Sequence, residues 1–125
     1  MDVEAQAEFW KSGSDEDMAA ARCLLEGGHW RQALFLAHLS LEKLLKAHVA
    51  RHTKDVPPRT HDLVRLAELA GLRLDKARKA ALGEFGVYQL EGRYPGSAPA
   101  AVDAALARQE MERAEELLRW LTEQS

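Results

Sequence analysis

A carboxylate, two lysines and three histidines fall close together in the middle of this 125-residue chain. Glu42 and Lys46 stand one helical turn apart, a spacing that lets carboxylate and ammonium pair on one helix face, with Lys43 beside them. The plain reading is an ion pair on a helix surface. The functional reading sets the three at the rim of a groove or at a subunit contact. His48 and His52 repeat the one-turn spacing, which suits chelation of a metal from one helix face, with His61 as a third ligand. Histidines near a helix C-terminus equally suit the dipole there. The HExxH pattern is absent, since Val49 stands where its glutamate belongs, and no metal or other cofactor is assigned. In Arg59-Thr60-His61-Asp62-Leu63, an imidazole at the start of a helix and beside a carboxylate can shuttle a proton. The same polar groups can instead cap the helix. Further on, Glu91-Gly92-Arg93-Tyr94-Pro95-Gly96 makes a polar, rigid loop. Its arginine suits forked recognition of phosphate.

Other chemistries are missing. Gly83, Gly86, Gly92 and Gly96 neither follow a strand nor precede a lysine, as a phosphate-binding loop requires. No strand carries a pair of metal-binding aspartates, so the chain is not itself read as a nucleotidyltransferase. Cys23 is alone, which excludes an intrachain disulfide and a cysteine-based zinc cluster. The start of the chain carries Asp2, Glu4 and Glu8 and does not read as a signal peptide. No apolar run is long enough to span a bilayer, and the expectation is a soluble, cytoplasmic protein without membrane contact. Net charge is −3, unevenly spread. Residues 1–42 hold 3 basic and 8 acidic side chains, residues 43–79 hold 10 and 4, and residues 80–125 hold 4 and 8. The basic centre either attracts a polyanion or pairs with its acidic flanks across a bundle.

The elements that must position these groups read as helices throughout. Ala, Leu, Glu, Lys and Arg dominate, and no stretch shows strand alternation. A first helix is expected over about residues 3–26, stopped by Gly27-Gly28. A second runs over about 29–52, with apolar residues on more than one face, as in the centre of a bundle or at an oligomer contact. Pro57-Pro58 breaks the chain, and Thr60 is expected to cap a third helix ending at Gly71. A fourth is expected over about 75–90. Ser97 or Pro99 opens the last, to about Thr122, with a narrow seam of Ala104, Ala107, Met111, Ala114, Leu118 and Leu121. The sum is a single domain, residues 1–125, all-α, an antiparallel bundle of about five helices.

Four blocks in order resemble one family. Trp10-x3-Ser14-x2-Asp17-x3-Ala21 resembles the first helix of the HEPN domain (higher eukaryotes and prokaryotes nucleotide-binding). Phe35-x2-His38-x2-Leu41-Glu42-Lys43-x2-Lys46-Ala47 is similar to its most recognisable helix. Thr60-His61-Asp62-Leu63 resembles the opening of its third helix, and Arg93-Tyr94-Pro95 the turn before its last. The resemblance spans nearly the whole chain and implies a five-helix bundle, commonly dimeric.

Many members are encoded beside, or fused to, a minimal nucleotidyltransferase. Others are metal-independent ribonucleases, often toxins of toxin–antitoxin pairs or defence systems, with an arginine followed by a histidine after four to six residues. There the arginine would stabilise phosphorane charge and the histidine would move the proton. In this chain Ala98, Pro99 and Ala100 stand where that histidine would follow Arg93. The strings Arg22 to His29 and Arg31 to His38 have similar spacing but lie in other blocks.

The resemblance therefore implies a binding subunit that partners a minimal nucleotidyltransferase and contacts a nucleotide or other polyanion. Arg93, Tyr94, Lys43, Lys46 and His61 are the expected contacts, with Tyr94 also a candidate target for nucleotidylation by the partner. The alternative is a ribonuclease toxin in which a substitute such as His61 serves Arg93. The apolar surplus on the second helix adds the expectation of a homodimer.

Overall fold

The computed structural model describes residues 2–89 and 101–124. Arg93 and Tyr94, with the rest of the loop expected at 91–96, lie outside the described residues. Five α-helices follow in order: α1 (Val3–Glu26), α2 (Trp30–Thr53), α3 (Leu63–Leu69), α4 (Lys76–Phe85) and α5 (Ala104–Glu123). One 3-10 turn, Gly86–Tyr88, extends α4. No strand occurs among the described residues, and no helix is long and apolar enough to cross a membrane.

Aspartates start four of the five helices. Asp2, Asp62, Asp75 and Asp103 each accept the backbone N–H of the residue three positions on. Each carboxylate thereby satisfies an orphan donor and faces the positive end of the helix dipole. This corrects two expectations. The cap of α3 is Asp62, while Thr60 Oγ1 accepts the Asp62 N–H from outside the helix. The last helix opens at Ala104 behind Asp103, and residues 101–103 are not helical, so it does not begin at Ser97 or Pro99. A third correction concerns α4, which stops at Phe85 and tightens instead of continuing to residue 90. In a 3-10 turn residues three apart eclipse, which brings Phe85 and Tyr88 to the same, buried side. The expected stops at Gly28 and Gly71 do form. Both glycines have positive φ, 82° and 70°. Each sits in a paired 6→1 and 5→2 closure, His29 to Leu24 with Gly28 to Leu25, and Leu72 to Ala67 with Gly71 to Glu68.

α1 and α2 pair antiparallel through small residues. Ala7, Ala21, Ala33, Ala37 and Ala47 are fully buried. Ser14 Oγ donates to the Ser40 carbonyl at 2.7 Å and Ser40 Oγ to the Ser14 carbonyl at 2.8 Å. These reciprocal bonds let two polar side chains lie in the dry contact without an unmet group. α2 is the central rod, packed by α1, α3 and α5. Much of the apolar surface that suggested a partner for α2 is thus covered within the chain. The extended stretch after α2 runs back beside it, so that His61 returns to the level of Glu42 and Gly71 then lies under His52. α3 therefore follows α2 in the same direction. α5 does so too, from Arg108 over Trp30 to Leu121 at His48, while α4 runs against α5.

Candidate functional site

Glu42 is the node. It is only 4% exposed, in the middle of the most buried helix. His61 Nδ1 lies 3.0 Å from Oε1 and Lys46 Nζ donates to Oε2 at 3.1 Å. His38, one turn before Glu42 and fully buried, brings Nδ1 to 3.8 Å from Oε1. One carboxylate thus gathers an ammonium and two imidazoles. Lys46 is 7% exposed, so the pair is an interior one and not the surface ion pair that the one-turn spacing alone would suggest. Two charges taken from water are tolerable only when each meets a partner, and here they meet each other.

Each arm of the node is set by a different element. α2 supplies Glu42, Lys46 and His38 by its own periodicity. His61 arrives because Pro57-Pro58 hold the preceding stretch out of helix and Asp62 then starts α3 one residue later. The His61 side chain is 44% exposed, so the node reaches the surface through this ring. From α1, Trp10 lies under Lys46, whose Nζ is 5.2 Å from the ring centroid. Trp10 Nε1 donates to Gln6 Oε1 at 2.8 Å. Lys43, on the neighbouring turn, reaches Asp17 at 2.8 Å. Gly13 makes that reach possible, since a Cβ there would meet Lys43 Cδ at 3.0 Å. Phe9, Trp10, Ser12, Gly13, Glu16 and Lys43 line a groove of about 440 Å³ beside the node.

On the interior side, the His38 ring stacks on Phe85 with centroids 6.5 Å apart, and Phe85 meets Tyr88 edge-on at 4.9 Å. Burial, and then the neighbouring charge and hydrogen bond of Glu110, hold the Tyr88 phenol above its ordinary value. Glu110 is 7% exposed and pairs with Arg113 at 3.3 Å, and Arg113 continues to Glu84 and the Ala81 carbonyl. This second polar cluster was not anticipated. Its signal was available: Glu110 falls on the helical face marked by Ala107, Met111 and Ala114, a position where a carboxylate needs a buried partner.

Of the expected contacts, Lys43, Lys46 and His61 come together around Trp10 and Glu42, both lysines already paired with carboxylates. The chelating pair does not assemble. His48 Nε2 lies 2.7 Å from the Leu121 carbonyl and so is committed to α5, while His52 is exposed against Gly71. Among the described residues no group of three His, Cys, Asp or Glu side chains could hold a metal ion. Of the stray Arg–His strings, His38 is buried in the core and Arg22 pairs with Glu115 at 3.4 Å. Several charge pairs do join the acidic first third to the basic centre, namely Glu4–Arg51, Asp17–Lys43 and Glu42–Lys46.

A family model described as HEPN domain matches residues 7–124. Among solved structures, the chain is similar to TT1696 from Thermus thermophilus, with 21% identity, a TM-score of 0.77, and coverage of 94% of this chain and 97% of that one. It is also similar to ST0689, described as an archaeal HEPN homologue, with 20% identity, a TM-score of 0.70, and coverage of 93% and 94%. No curated protein matches. The fold of both solved structures is therefore the fold of this chain.

Proposed function

Because this chain belongs to the HEPN-domain family, we propose that it is the helical subunit of a pair with a minimal nucleotidyltransferase, in a cytoplasmic toxin–antitoxin-type system, and that it binds a nucleotide or other polyanion beside the Glu42 node. The observation that carries this reading is the node itself. A buried carboxylate that holds Lys46 and a half-exposed imidazole of His61 costs folding free energy relative to apolar packing. Such clusters concentrate at sites of recognition or chemistry. His61 and Lys46 would meet the ligand from α3 and α2, Lys43 from the groove edge, and Arg93 and Tyr94 from the segment that precedes α5. Arg93 would grip phosphate as a fork, and Tyr94 would donate a hydrogen bond or accept a nucleotidyl group from the partner.

Co-expression tests this reading. The chain should co-purify with a co-expressed minimal nucleotidyltransferase, and RNA incubated with the chain without divalent metal should stay intact. Failure to associate, together with metal-free cleavage lost in both Arg93→Ala and His61→Ala, would overturn it.

One observation favours a second reading. The 3.0 Å contact between His61 Nδ1 and Glu42 is the arrangement in which a carboxylate orients an imidazole for proton transfer. A ribonuclease using His61 in place of the histidine missing after Arg93 would be built this way. In that case Glu42→Gln would also lose cleavage, while keeping RNA affinity.

A further inference from the structure

The groove beside the node carries an inference that rests on the nucleotide reading and specifies it. Trp10 is fully engaged: Gln6 takes its N–H, Lys46 covers one face and Phe9 abuts it edge-on at 5.3 Å and 78°. Phe9 itself is 69% exposed, the most exposed large apolar side chain among the described residues. Its ring meets Trp10 edge-on and stands at the lip of a groove of about 440 Å³, within the size range of small-molecule sites. The cations that line or adjoin this groove bring little unbalanced charge, since Lys43 is held by Asp17 at 2.8 Å and Lys46 by Glu42 at 3.1 Å. A phosphate would share these ammonium groups with Asp17 and Glu42, so charge alone does not select the ligand here. A planar ring gains from an open aromatic face whatever the charge.

We infer that the Phe9–Trp10 groove is the base-binding subsite, in which the Phe9 ring stacks on the base of a nucleoside monophosphate. Glu16, also in the lining, is an acceptor and matches a base with an exocyclic amino group, such as adenine. It repels a phosphate at the same spot. The groove therefore distinguishes a nucleotide from a baseless sugar phosphate.

Titration calorimetry with AMP and with ribose 5-phosphate, which lacks the base, tests this. Wild type should bind AMP roughly tenfold or more tightly than ribose 5-phosphate, the scale of one stacked base. Phe9→Ala should reduce AMP to the affinity of ribose 5-phosphate, and Phe9→Trp should retain the difference. Because Phe9 is exposed, Phe9→Ala should melt with wild type, which separates lost binding from lost fold. Equal binding of the two ligands by wild type, or full AMP affinity in Phe9→Ala, overturns the subsite and leaves the nucleotide reading standing. Binding of neither ligand overturns both. A Phe9→Ala chain that changes oligomeric state marks Phe9 as a subunit contact and also overturns the subsite.

Discussion

Glu42 and Lys46 are buried together, so neither can be removed alone without leaving the other charge unmatched. Glu42→Gln should lower the unfolding free energy by about 3–5 kcal/mol, read by urea denaturation, and adding Lys46→Met should recover much of the loss. A single variant as stable as wild type would show that the charges are not coupled. His48 gives a second, opposite kind of test. Burial first, and the nearby Arg51 charge, hold its pKa below the ordinary 6.5, against a raising contribution from its bond to the Leu121 carbonyl. The folded chain therefore resists a proton that the unfolded chain accepts. Its stability contribution is intact above about pH 6.5 and is lost as the pH falls below that value. His48→Gln should flatten this acid limb of the stability profile relative to wild type, measured by denaturation at pH 5 to 8. An unchanged limb would assign the acid sensitivity to other groups.

At the scale of elements, the helix ends explain more than the helix interiors. Gly71 combines φ of 70° with a site where a Cβ would lie 2.7 Å from His52 Cε1. Gly71→Ala should destabilise by about 1–3 kcal/mol, because the positive φ strains any L side chain even where the exposed His52 ring gives way. Gly13 is the contrasting case, since its added Cβ would meet only the flexible Lys43 side chain, at 3.0 Å. Gly13→Ala should be neutral or stabilise by up to about 1 kcal/mol through helix propensity, while pushing Lys43 from Asp17. Thermal melts of the two variants decide this, and a destabilised Gly13→Ala would mean that the Lys43–Asp17 pair matters more than its partial exposure suggests. Both glycine stops were legible in the sequence as residues that tolerate positive φ. The starts of α3 and α5 lie later than expected because more than one residue before each helix is able to open it, and Asp62 and Asp103 are the ones that cap.

For the molecule as a whole, the apolar surplus of α2 has a largely internal use, yet Val56, Val87 and Leu106, away from the Phe9 groove, remain exposed. Subunit contact is expected at these residues, and light scattering at micromolar concentration should give twice the 14.0 kDa chain mass. A monomer at that concentration would count against the homodimer. The uneven charge of the sequence is partly resolved by pairs between α1 and α2. Lys54, Arg59, Arg65, Arg73, Lys76 and Lys79 stay exposed.

The sequence by itself determined the number and order of the helices, the central place of α2, and the pairing of Glu42 with Lys46. All of these follow from periodicity, glycine stops and one-turn spacing, which act over a few residues. Only the tertiary structure decided that this pair is buried, that His61 joins it across 19 positions, that His48 is committed to Leu121, and that Glu110 is buried beside Arg113. Burial and partnership between distant residues depend on how helices cross and how the extended return after Pro57-Pro58 is aimed, and no local spacing encodes either.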